Sequence, residues 1–174
     1  WGVVTYSETN GLSYKEGNAA GDQTGHYKTQ SNFNSKDGDL LDQYTEGWSY
    51  KTGAFGDTTA WTGHYKTFAN VDGKGMVVNG TVTESVTIGE SLRGVNTPDT
   101  SDNQVGDYVT TSRFDSKNGI LNYQQTVGSS YKVGGLGDLA KFTGLYTTDA
   151  IGIEAKWGVV TYSETNGLSY KEGN

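Results

Sequence analysis

The sequence predicts an all-β fold, an antiparallel eight-stranded up-and-down barrel built from four hairpin repeats of ~38 residues. Three observations predict it. Hydrophobic residues alternate with period two, and no stretch has the 3.6-residue period and caps of a helix. Asp-Gly and Asn-Gly pairs punctuate the chain where hairpin turns need positive φ. A short motif recurs four times.

The motif is clearest at Ser49-Tyr50-Lys51-Thr52-Gly53, followed by Gly56-Asp57 and Thr62-Gly63-His64-Tyr65. Ser13–Gly17 with Thr24-Gly25-His26-Tyr27, and Ser130–Gly134 with Thr143-Gly144-Leu145-Tyr146, repeat it. A degenerate copy runs from Val86-Thr87-Ile88-Gly89 to Gly106-Asp107-Tyr108. The marker tyrosines Tyr27, Tyr65, Tyr108 and Tyr146 are spaced 38, 43 and 38 residues apart.

The two chain ends are identical. Trp157–Asn174 repeats Trp1–Asn18 without a difference, so the independent sequence is one period of 156 residues. From Tyr146 to the next marker, one period after Tyr27, is 37 residues, so four units fill the period. A natural array of near-identical repeats or an engineered duplication would produce such ends. The absence of a Gly-Ser linker tilts the balance to the array. Trp1 stands where an initiator methionine would, so the natural start is expected upstream.

Within the units, hairpin turns are expected at Ser35–Gly38, Asp72–Gly75 and Ser116–Gly119. Gly53–Gly56 and Gly134–Gly137 join one unit to the next. The strand from Leu40 places Tyr44, Glu46, Trp48 and Tyr50 on one face. Its partner places Trp61, Gly63 and Tyr65 on one face and Thr62, His64 and Lys66 on the other, which puts His26 and His64 on the wet side. A strand from Met76 to Ile88 carries Met76, Val78, Val82, Glu84, Val86 and Ile88 on its apolar face, with the glycosylation sequon Asn79-Gly80-Thr81 inside it. The polar segment 92–105, which holds the single proline, reads as a surface loop or an interdomain linker within one β domain spanning 1–174.

Composition narrows the function. No cysteine is present, which excludes disulfides and thiolate chemistry. A net charge of −7 disfavours nucleic acid and anionic membranes, and no apolar run reaches the ~20 residues of a membrane-spanning helix. No nucleophile elbow, phosphate loop or zinc motif occurs. His26 and His64 recur with the repeat at no metal-binding spacing, and Asp37, Asp39 and Asp42 read as turn carboxylates; no metal or cofactor is expected.

The expected function is therefore structural: an extracellular or cell-surface repeat domain that self-associates with copies of itself, by terminal strand exchange or addition, into a fibre or adhesive array. The alternative is a small-ligand barrel with an aromatic interior that takes a carbohydrate or a small apolar molecule. Its ligand-binding residues would be Glu46, Glu84, Trp48, Tyr50, Trp61 and Tyr65. Glu46 and Glu84 read as equivalent positions, in Thr45-Glu46-Gly47-Trp48 and Thr83-Glu84-Ser85-Val86, and carboxylates in an apolar setting also admit a barrel cyclase or isomerase as a weaker third reading.

Overall fold

Nearly every strand of this chain carries one of two five-residue patterns, and strand register follows from them. The computed structural model describes residues 2–15, 22–51, 61–95, 103–132 and 141–171. Its strands are β1 (Tyr6–Tyr14), β2 (Gln23–Phe33), β3 (Leu40–Tyr50), β4 (Trp61–Ala69), β5 (Met76–Val78), β6 (Thr81–Val95), β7 (Gln104–Phe114), β8 (Leu121–Tyr131), β9 (Phe142–Glu154) and β10 (Val159–Ser169). All ten form one antiparallel up-and-down sheet in sequence order, with β5 pairing only with β6. No helix among the described residues is long and apolar enough to cross a membrane.

Strands β1, β3, β6, β8 and β10 carry Thr-x-Gly-x-Ser: Thr9–Ser13, Thr45–Ser49, Thr87–Ser91, Thr126–Ser130 and Thr165–Ser169. Strands β2, β4, β7 and β9 carry Gly-x-Tyr-x-Thr: Gly25–Thr29, Gly63–Thr67, Gly106–Thr110 and Gly144–Thr148. Because side chains alternate, the specified positions all share one face of the sheet. Pairing aligns them in rows. One row is threonine on every strand from Thr9 to Thr165. Threonine hydroxyls bond across alternate strand pairs, Thr29 to Thr45, Thr67 to Thr87, Thr110 to Thr126 and Thr148 to Thr165, each at 2.8 Å.

The adjacent row alternates glycine and tyrosine. Tyr27, Tyr65, Tyr108 and Tyr146 each lay their rings over the glycine of the preceding strand, Gly11, Gly47, Gly89 and Gly128. A Cβ at Gly89 would stand 2.1 Å from the Tyr108 ring, so only glycine admits the ring there. This face is small and hydroxyl-rich, with tyrosine as its one bulky residue. Neither face is the purely apolar one that alternation alone suggests.

The opposite face is formed by the unspecified positions and differs along the sheet. Across β2–β4 it carries His26, Trp48, His64, Tyr44 and Phe68. Across β6–β8 it carries the half-exposed aliphatic row Ile88, Val109 and Val127.

Turns at Asn34–Gly38 and Asp115–Gly119 are built alike. Gly38 and Gly119 sit at φ 80° and 67°, and the carboxamide of Asn34 and carboxylate of Asp115 accept backbone N–H bonds. Glu154–Gly158 makes the corresponding turn before β10. The turns at Asn34–Gly38, Asp72-Gly73 and Asp115–Gly119 fall where the sequence signals place them, and the Glu154–Gly158 turn has no such signal. Three features differ. The expected strand from Met76 to Ile88 is broken by a second tight turn at Asn79-Gly80, both with positive φ, so the sequon lies at a turn and not within a strand. Leu92 pairs with Gln104 and the Arg93 N–H bonds the Asn103 carbonyl, so the ends of segment 92–105 belong to the β6–β7 ladder. The sheet is not closed by hydrogen bonds. The duplicated segment adds a strand beyond eight, and β1 and β10 stand as separate edges. The glycine-rich joins 53–56 and 134–137 lie outside the described residues.

The ring-on-glycine contact gives a direct test. Gly89→Ala is expected to destabilise the sheet by about 1–3 kcal/mol through overpacking, read as a lower urea midpoint. In a double-mutant cycle with Tyr108→Ala the two costs should be non-additive. Strict additivity would show that the ring does not rest on the glycine.

Candidate functional site

The sequence-predicted ligand residues divide between the two faces. Glu46, Trp48, Tyr50 and Trp61 share the variable face; Tyr65 belongs to the repeated face, with its ring over Gly47. Trp61 lies an even number of residues from Tyr65, but irregularities at Ser49/Tyr50 and between Trp61 and Gly63 pair it with Tyr50. Tyr50 and Trp61 rings meet edge-on with centroids 6.1 Å apart.

Both histidines are on the face of Trp48, not on the opposite wet face. The register that opposes Tyr65 to Gly47 also opposes His64 to Trp48. His26, Trp48 and His64 stack in sequence, with centroids 4.5 Å and 5.3 Å apart. Burial lowers the His26 pKa, and its Nδ1 bonds the Tyr50 hydroxyl at 2.8 Å. The Trp61 indole N–H is buried and makes no hydrogen bond among the described residues.

Glu46 sits at the centre of this cluster. His64, 6% exposed, donates Nε2–H to Glu46 Oε1 at 2.8 Å, and Lys66 Nζ lies 3.6 Å away. Burial pushes the Glu46 pKa up, but the His64 hydrogen bond and the Lys66 charge outweigh it and hold the carboxyl below its usual range. It is therefore an ionised carboxylate and not a poised acid. Glu84 is elsewhere on the same face, where Arg113 Nε meets its Oε2 at 3.0 Å. Register aligns Glu46 through Lys66 with Ile88, so Glu46 and Glu84 are not equivalent positions. Among the described residues no three His, Asp or Glu side chains converge on a metal-sized space.

The sheet edges form a second constellation. They carry the same sequence but use opposite sides of it. As β1, the segment pairs with the strand that follows, Gly11 opposite Tyr27. As β10, it pairs with the strand that precedes, Gly167 opposite Tyr146. Every interior strand of this type uses both sides at once. Gly47 lies between Tyr27 and Tyr65, Gly89 between Tyr65 and Tyr108, and Gly128 between Tyr108 and Tyr146.

Each edge thus lacks what the other has. Gly167 is the one Thr-x-Gly glycine without a tyrosine ring over it; a Cβ there would first meet the Leu145 carbonyl. Glu164 lies opposite Asp149, a like-charged cross-strand pair, whereas its copy Glu8 is held by Lys28 at 3.0 Å and by the Tyr6 hydroxyl at 2.9 Å. Those bonds, Lys28 first, bring Glu8 down to about 2. At the other edge, Thr9 has no preceding strand, while its copy Thr165 bonds Thr148. Period-two reading missed this because the signal is the pair of interleaved five-residue patterns, visible only once Thr-x-Gly-x-Ser is separated from Gly-x-Tyr-x-Thr.

Four phenols have raised pKa values, each with burial as the main cause: Tyr50, Tyr65, Tyr108 and Tyr44, the last also facing Glu46 and pushed up to about 12. They stay protonated in the folded chain after the unfolded chain begins to ionise near pH 10, so their stabilisation is complete below pH 10 and is lost as pH rises through the raised values. The urea midpoint should therefore fall between pH 9 and pH 11, and Tyr44→Phe should flatten the fall; equal midpoints would contradict the burial of these rings. No known protein family, curated protein or solved structure matches the chain, and the functional reading rests on its own geometry.

Proposed function

We infer that this chain is a structural, self-associating repeat domain whose copies join by strand exchange. In the proposed junction, β10 of one copy takes the place of β1 in the next and pairs with its β2. The single observation that carries the reading is the uncovered Gly167 on an edge whose duplicate, Gly11, is covered by Tyr27. Exchange moves the Tyr27 ring from Gly11 to Gly167 and the Gln30 and Lys28 contacts from Glu8 to Glu164. The strand now in that slot also keeps its pairing with β9 and the Thr148–Thr165 bond, which β1 cannot make. Simple edge-to-edge addition of β10 to β1 would instead set two Thr-x-Gly strands side by side, with glycine facing glycine and no tyrosine between.

Two further facts support assembly. Open edges leave a row of unpaired backbone groups, a template for another strand. Both edges carry exposed large hydrophobic side chains, Leu12 on β1 and Leu168 on β10. A head-to-tail exchange that does not close on itself builds a fibre. An extracellular or surface setting suits a cysteine-free, Gly- and Tyr-rich fibre subunit of net charge −7.

Light scattering tests the reading. The native chain should grow in mass with concentration. Gly167→Val should stay monomeric, because a side chain at 167 blocks the incoming tyrosine and crowds the Leu145 carbonyl beside β10, while Gly11 leaves the chain's own β1–β2 pairing intact. Deletion of residues 157–174 should do the same. A native chain that stays monomeric throughout would show that β10 remains an unshared edge and would overturn the fibre.

A further inference from the structure

The repeated face is nearly invariant from unit to unit, so differences between units are confined to the other face. A feature found there in one unit only is not needed to build the sheet. One such feature is a depression of about 490 Å³ across β1–β4, lined by Tyr6, Gln30, Asn32, Asp42, Tyr44 and Phe68. Its central row continues across the sheet as Val86, Thr111, Gln125, Asp149 and Glu164, which contains no aromatic residue.

The chemistry of the depression is that of a polyol site. Phe68 is 7% exposed and forms its floor, packed against Tyr44 with centroids 5.4 Å apart. Tyr6, 49% exposed, stands two strands from Tyr44. Tyr6 is in register with Asp42, two residues short of Tyr44, so at ~4.8 Å per strand and ~3.3 Å per residue their backbones lie about 12 Å apart, a span for two sugar rings. Between them are hydrogen-bonding groups that are already oriented. Asn32 donates to Asp42 Oδ1 at 2.7 Å, which leaves the second carboxylate oxygen as an acceptor, and Gln30 donates to the Tyr6 hydroxyl at 3.0 Å. The Tyr44 hydroxyl donates to Glu46, which leaves its oxygen as an acceptor for a sugar hydroxyl.

Charge selects the ligand further. Asp42, Asp72 and Glu46 outnumber Lys66 and Lys74 around the depression; Lys66 lies within 4 Å of Glu46, and Lys74 lies over the Phe68 ring. That balance disfavours phosphate, sulfate and uronate groups. The polar rim disfavours a purely apolar guest. We propose that the β1–β4 depression binds a neutral oligosaccharide, with sugar rings against Tyr6 and Tyr44 and hydroxyls donating to Asp42. Stacking of apolar sugar faces on aromatic rings and hydroxyl bonding to a carboxylate–amide pair are the two interactions such a ligand needs.

Titration calorimetry with cellohexaose, maltohexaose and xylohexaose tests this on the full chain. At least one should bind, and Asp42→Ala and Tyr44→Ala should each weaken it tenfold or more, with circular dichroism unchanged. Because Tyr162 replaces Tyr6 wherever strands exchange, the edge contribution is read from the double variant Tyr6→Ala/Tyr162→Ala. It should weaken binding as well, and it remains a test if Tyr44→Ala fails to fold. Failure of all three sugars to bind, or binding indifferent to these variants, overturns the proposal. Either result leaves the light-scattering behaviour of Gly167→Val untouched, so the two proposals stand or fall separately.

Discussion

A tyrosine ring lying on bare glycine backbone is the contact on which the rest of this sheet depends. A chain with one-third hydrophobic residues has little with which to fill a core. It solves the problem locally, covering one strand's backbone with the next strand's ring. The contact has a direction, since each ring leans on the preceding strand. It fixes register, because a slip of one residue would carry every tyrosine to the other face. The threonine row follows from the same alignment, and its hydroxyl bonds satisfy side chains that would otherwise need water.

Division of labour between the faces follows from period two. Thr, Gly, Ser and Tyr at alternate positions are committed to the ladder. The intervening positions are free to vary, and they have done so. The same strand slot holds His64 opposite Trp48 in β4 and Asp107 opposite Ser129 in β7. The Glu46–His64–Lys66 group and the Tyr6–Tyr44 depression occupy these varying positions, where His64 and Phe68 are also among the most buried side chains.

Much of this was legible before any coordinates. Alternation, the Asp-Gly and Asn-Gly turns and the marker tyrosines carry the fold class and the strand order. Faces were less legible. Trp61 and Tyr65 read as neighbours on one face because two-residue counting has no sign for a bulge. Asn79-Gly80 hid within what reads as a strand because Val78 and Val82 keep the same parity on either side of the turn. Glu84 resembled Glu46 through its Thr-Glu context, yet Thr45 pairs through Thr67 with Thr87 and not with Thr83. The burial of His64 needed Trp48 from another strand, and no local pattern encodes that. The Tyr6–Tyr44 depression likewise draws on four strands, with Tyr6 and Phe68 separated by 62 residues of chain.

Because each ring leans one way only, the two edges of the sheet are chemically unlike. One edge offers glycine awaiting a ring; the other offers a strand already covered and awaiting a threonine partner. An assembly made of such sheets is polar along its length, as an actin-like polymer is and a symmetric stack is not. Its two tips would bind incoming chains with different rate constants. Addition at either tip displaces one β1 from its β2, that of the assembly at one tip and that of the incoming chain at the other. Growth would therefore be limited by how fast an edge strand frays, a property of eighteen residues and not of the whole chain.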